Sequence, residues 1–223
     1  MKHANALAMF LAIALAATAG AAEFDPGKER WVIKTSVPEG ADVTKGKKVA
    51  FEDLVKLPNP QDVKRNDSRF DEVRIPAFDN ALKVKEGDIL TTRAWLHLVA
   101  AEEDGDYHIQ ISGSQDSQKS CMVVEVPLPN ERFVKSDSLR PHVKDVRDFV
   151  DNKLLAGKPS SGPGSIRRMK TPPFVEITGQ LFYDDAHVLK NRETRPAKKP
   201  CASAPVWELH PVTAIKFAPK PIH

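Results

Sequence analysis

Five stretches of this chain alternate apolar and polar residues with a period of two, three before a single amphipathic helical pattern and two after it. That order leaves few folds open. In Ile89–Ala101, Ala94, Leu96, Leu98 and Ala100 share one face while Trp95, His97 and Val99 share the other, so a strand covered on both sides is expected. The acidic turn Glu102, Glu103, Asp104, Gly105, Asp106 ends it, with Asp-Gly supplying the positive φ that a hairpin prefers. A second strand, Tyr107–Ser112, sends Tyr107, Ile109 and Ile111 inward and His108, Gln110 and Ser112 outward. The third, Cys121–Val126, places Met122, Val124 and Val126 opposite Cys121, Val123 and Glu125, and Pro127 and Pro129 stop it.

Ser138 is the expected N-cap of the helix, with Pro141 in its first turn. Val143, Val146, Phe149, Val150 and Leu154 recur at helical spacing until Gly157 and Pro159. The fourth strand is Phe174–Tyr183; the fifth, residues 206–217, sets Trp207, Leu209, Ile215 and Phe217 against Glu208, His210 and Lys216. Three strands, a helix and two strands is the order of the OB-fold, a mainly β, five-stranded, partly open barrel. Residues 76–223 are expected to form that barrel and residues 23–75 an N-terminal extension packed on it. In the extension, residues 30–34 read as a short strand and 51–57 as helical turns stopped by Pro58 and Pro60, with Trp31, Phe51, Leu54 and Leu57 able to dock.

Residues 1–22 carry a Lys2-His3 head, an Ala- and Leu-rich run and small residues at 19–22, the pattern of a cleaved secretory signal peptide. The run is too short to span a bilayer, which takes roughly 20 apolar residues, and no later stretch is continuously apolar over that length. An exported, periplasmic or extracellular protein with no membrane span after cleavage is therefore expected. In an oxidising compartment its two cysteines, Cys121 and Cys201, most simply pair. The pairing also suits the barrel, whose third and fifth strands run parallel and adjacent; Cys121 opens the third and Cys201 lies just before the fifth.

The segments 104–109 (Asp-Gly-Asp-Tyr-His-Ile), 121–127, 179–184 and 208–212 (Glu-Leu-His-Pro-Val) together resemble a group of bacterial exported proteins of unassigned function, whose opening is matched here by Arg30-Trp31-Val32-Ile33-Lys34. The resemblance covers most of the expected mature chain. It supports the fold and the choice of residues but implies no reaction.

Without Lys2 the chain has 32 Lys and Arg against 30 Asp and Glu, so whole-protein charge does not call for a nucleic-acid partner. No complete catalytic constellation is present: no Gly-x-Ser-x-Gly elbow, no phosphate-cradling glycine loop, and no free cysteine if the two pair. The candidate ligand-binding residues are His108 and Gln110 on the second strand, Glu125 on the third, and Glu208 and His210 on the fifth, which adjacency in the barrel brings onto one wall, together with Arg192 and Arg195, whose basic loop supplies electrostatic attraction. The leading expectation is a non-enzymatic binding module that takes a ligand or protein partner across strands two, three and five and the flanking loops.

A second reading is a metal-dependent hydrolase of the phosphodiesterase kind, in which His108, Glu208 and His210 hold Zn²⁺ or a similar ion with an open position for water. A third is single-stranded nucleic-acid binding through the basic loop 185–205, where Arg192, Arg195, Lys198 and Lys199 meet phosphates and Phe182 or Tyr183 stacks on a base. The acidic turn reads as a solvated hairpin tip rather than a calcium loop, His97 as a buried, satisfied core residue, and His187 as solvent-exposed.

Overall fold

The structure, a computed structural model, describes residues 29–116, 120–159, 162–190 and 193–221. The expected signal peptide and Arg192 lie outside these residues. The five expected strands form: β1 (Ile89–Ala101), β2 (Tyr107–Ser112), β3 (Cys121–Val126), β4 (Phe174–Tyr183) and β5 (Trp207–Phe217). β1 pairs antiparallel with β2, β2 with β3, and β4 with β5, while β3 runs parallel to β5 and β1 closes the circle by pairing with β4. This is the closed OB-fold barrel, and closure leaves no long edge unpaired.

Between β3 and β4 comes helix α1 (Arg140–Phe149), extended by a π-helical turn Val150–Leu154. Its buried face, Val143, Val146 and Val150, joins Ile109, Val124, Leu181, Trp207 and Leu209 in one core. The expected cap does not form: Leu139 holds the N-cap position without a side-chain cap, and it is Ser136 Oγ, one turn earlier, that receives the Leu139 backbone N–H at 3.3 Å. Pro141 does sit in the first turn, where a missing N–H costs nothing.

Alternation fails as a guide to the core face at one point. The β1 to β2 register shifts between Leu96 and Leu98, a β-bulge, so the core takes Leu90, Ala94 and Leu96 before it and Val99 and Ala101 after it. Leu98 and Ala100 are thereby turned to the other side, although both are buried. His97 lies in the bulge, buried as expected, with Nε2 2.7 Å from Ser112 Oγ. A similar irregularity in the β4 to β5 pairing brings Val212 into the core behind Leu209.

The extension shares the barrel's core through Phe51, Leu54, Leu57 and Ile75, and Trp207 donates its indole N–H to the Pro58 carbonyl at 2.9 Å. Residues 30–34 correct the expectation of a strand: Trp31–Lys34 is one helical turn. Its position is fixed by Arg30, 2% exposed, which pairs both Nη atoms with the Glu86 carboxylate at 2.7 and 2.8 Å. Arg30 also donates to the carbonyls of Phe70, Val73 and Tyr183. Glu86 in turn accepts the backbone N–H groups of Ile75 and Tyr183 at 2.7 and 3.0 Å. A buried ion pair is tolerable when its remaining donors and acceptors are all used, as they are here.

The Cys121–Cys201 disulfide forms, with Cα atoms 6.0 Å apart. It holds a small hairpin, Thr194–Pro196 paired with Ser203–Pro205, over the outer side of β3 and β5. Among the described residues no helix is long and apolar enough to cross a membrane.

Candidate functional site

The barrel registers build a row of side chains across three strands. His108 on β2 is the direct antiparallel partner of Glu125 on β3, and the parallel register of Val123 with Glu208 and Val124 with Leu209 brings His210 level with Glu125 from the other side. His108 Nδ1 lies 3.0 Å from Glu125 Oε1, and His210 Nδ1 lies 3.2 Å from Glu125 Oε2. Three of the residues chosen from sequence thus converge as the topology demanded.

Their exposure does not match the expectation. Gln110 and His210 are fully buried and Glu208 is 2% exposed, so the wall faces away from the core without facing open solvent. Two segments cover it. From the extension, Lys34 reaches Asp104 at 3.2 Å and Asp106 at 3.3 Å. From the disulfide-held hairpin, Arg195 inserts between Asp184 and Glu208 and pairs with both, while Lys198 pairs with Glu102. With its amide oriented to suit its neighbours, Gln110 grips the Lys198 backbone, donating to the carbonyl at 2.7 Å and accepting the N–H at 2.9 Å.

Glu208 therefore serves Arg195 rather than joining the two histidines, which corrects the expected metal set of His108, Glu208 and His210. The basic loop is corrected as well. Arg195 is 6% exposed and neutralised by two carboxylates, and the rings meant for base stacking, Phe182 and Tyr183, are 3% and 1% exposed. Arg192, another expected phosphate contact, falls outside the described residues. His187 is exposed as expected, with Nδ1 2.6 Å from Asp184 Oδ2.

The acidic turn is not a solvated tip. Gly105, at φ 88°, lets the chain reverse tightly enough to turn Asp106 under the cover, where it is fully buried. Arg147 of α1 braces the turn, donating to the Gly105 and Val126 carbonyls at 2.9 Å each, and its guanidinium lies 3.8 Å from the centre of the Tyr107 ring. Asp106 Oδ2 faces Lys34 and, at 3.6 Å, His210 Nε2. Sequence reasoning missed this residue as part of the site, yet a signal existed: residues 106, 108 and 110 share one parity. Lys34 had no such signal, because only long-range docking brings it here.

Over this row opens a cleft of about 850 Å³, lined among others by Glu29, Lys34, Glu102, Asp104, His108, Glu125, Asp184 and Arg195. Seven carboxylates line it (Glu29, Glu102, Glu103, Asp104, Glu125, Asp184, Glu208) against three lysine or arginine side chains (Lys34, Arg195, Lys198). The ionisation pattern follows from burial set against neighbours. Burial pushes the Asp106 carboxyl up to about 6, although Lys34 and His210 draw it down. Burial likewise opposes charge on Glu125, but the contacts of His108 and His210 outweigh it and hold that carboxyl well below the usual range. Glu208 goes the other way: burial and the Glu125 charge raise it well above normal despite Arg195. Lys34 is held protonated by Asp106, Glu125 and Asp104 against the burial that would discharge it.

Among the described residues, two groups of side chains offer ligand atoms within 4.8 Å of one another: Asp106, Glu125 and His210 beneath the cleft, and Glu29, Asp184 and His187 at its rim. No protein-family model matches this chain, and no curated protein or solved structure shows significant similarity to it. The functional reading rests on the site's own geometry.

Proposed function

We propose that this protein is an exported OB-fold binding module that takes a positively charged ligand in the cleft over β2, β3 and β5. The observation that carries the reading is the charge of the lining, seven carboxylates to three lysine or arginine side chains, with Arg195 and Lys198 already paired to acids of the same cleft. A concave lining with an excess of one sign and low-dielectric walls focuses its field on the opposite charge. The signal-peptide pattern of residues 1–22 and the Cys121–Cys201 disulfide support export.

Spermidine, a compact trivalent organic cation, tests the charge preference by calorimetry on the purified protein at low ionic strength. Binding that weakens as salt rises, and that falls when Glu103 and Asp104 are changed to Gln and Asn, is the expected result. The nucleic-acid reading predicts the reverse. If an oligothymidylate binds with a steep salt dependence while spermidine does not, the cleft is not a cation receptor.

A further inference from the structure

The floor of the cleft has a feature that general cation attraction does not explain. His210 is fully buried, and neither of its ring nitrogens has a hydrogen-bond partner; Asp106 Oδ1, equally buried, has none either. Nδ1 of His210 is 3.2 Å from Glu125 Oε2 and Nε2 is 3.6 Å from Asp106 Oδ2, close enough for attraction but outside hydrogen-bond geometry. Buried polar atoms are nearly always satisfied, so three orphaned atoms in one place mark a missing partner. The acceptors here are two carboxylates and the lone pair of a neutral imidazole, and the nearest ammonium, Lys34, reaches Asp106 through Oδ2 and leaves Oδ1 without a partner. The partner they lack is an electron-pair acceptor.

We infer that Asp106, Glu125 and His210 form a binding site for a divalent transition-metal ion. This deepens the reading of the cleft as a cation receptor and rests on it. One imidazole nitrogen and two carboxylate oxygens within 4.8 Å of one another suit ions of borderline character such as Zn²⁺, whose bonds to these atoms are roughly 2.0–2.2 Å; a small closure of the group around the ion suffices. Asp106 comes from the β1 to β2 turn, Glu125 from β3 and His210 from β5, so the ligands stand on paired strands and a braced turn rather than on free loops. His108, 3.0 Å from Glu125 on the cleft side, holds the second oxygen of the bridging carboxylate and so orients it.

Lys34 fits the same account. Its ammonium lies 3.3 Å from Asp106 and 3.2 Å from Asp104, a protein cation lodged beside the place where the ion would bind. An incoming ion displaces it from Asp106, and it keeps Asp104 and the Trp31 ring, whose centre is 4.8 Å away. Removing that ammonium should strengthen metal binding, an effect that adventitious coordination by surface histidines would not show.

The experiment is equilibrium dialysis of tag-free, chelator-stripped protein against Zn²⁺, with metal analysis and thermal unfolding. One equivalent of Zn²⁺ and a raised unfolding temperature are expected, with Mg²⁺ ineffective. Asp106→Asn and Glu125→Gln, near-isosteric changes, should each weaken binding tenfold or more, and Lys34→Met should tighten it several-fold. His210→Ala should abolish it, and the two isosteric variants keep the test decisive if that protein fails to fold. Absence of stoichiometric Zn²⁺, or equal retention by the Asp106 and Glu125 variants, overturns the inference. Spermidine binding without Zn²⁺ binding would sink the metal site alone; loss of both would sink the cation receptor too.

Discussion

Two buried clusters of charge in this molecule make an instructive pair. In the clamp of Arg30 and Glu86, the guanidinium pairs through two nitrogens with one carboxylate, and five backbone groups complete the set. In the site of Asp106, Glu125 and His210, Asp106 and His210 are buried as deeply and Glu125 partly, but three polar atoms stay unpartnered. Both clusters hang from the same short segment, since Arg30 enters one and Lys34 the other. Burial alone therefore does not separate a structural ion pair from a binding site; satisfaction does.

The largest effect expected is from the disulfide that holds the cover of the site. Replacing Cys121 and Cys201 together with Ser opens a loop spanning 80 residues, which should cost roughly 4–5 kcal/mol in the chain-entropy account, measured by urea unfolding. A loss below about 1 kcal/mol would mean that the hairpin is held by its ion pairs alone. Next comes the clamp: Glu86→Ala strands Arg30 in the interior and should cost about 3–5 kcal/mol in the same measurement.

The site should behave in the opposite sense. Asp106 has a folded value of about 6 against 3.8 unfolded, so folding favours its protonated form. Its contribution is fully present below pH 3.8 and is lost as pH rises through about 6. Relative to Asp106→Asn, the metal-free wild type should therefore lose a few kcal/mol of stability across that window and change little above it. The groups facing Asp106 are Lys34, Asp104, Glu125, Arg147 and His210, and the variant leaves all five in place. A difference that grows toward alkaline pH in favour of the wild type would put Asp106 in the same class as Glu86. The smallest effect is a control on the barrel surface. Arg93 pairs with Glu176 at 2.7 Å while more than half exposed, and Arg93→Ala should change stability by less than about 1 kcal/mol.

What the residues disclosed in advance follows from the range of the forces involved. Strand alternation and the helix period are local, and with the barrel's fixed pairings they were enough to bring His108, Glu125 and His210 together and to join Cys121 to Cys201. The β1 bulge was not legible, because an extra residue is set by how both strands pack, not by the alternation of either. Nor was the cover. Residues 30–34 alternate well enough for a strand, but the buried bond of Arg30 to Glu86 fixes them as a helical turn. Arg195 looked like a surface cation because nothing near it in sequence announces that Asp184 and Glu208 flank it from two different strands' ends. For the same reason the contrast between a loop of basic composition and an assembled cleft lined mainly by carboxyl groups was not legible.

The parallel pairing of β3 with β5 gives the site one more property. His108 and Glu125 meet across neighbouring strands, whereas His210 arrives only when the barrel shuts. A chain that has not shut its barrel holds Asp106, His108 and Glu125 on one meander but lacks His210, and leaves the carboxylates open to water. Competence at this position is thus a certificate of completed folding, issued only to molecules in which β3 and β5, from opposite sides of the helix in sequence, have found each other.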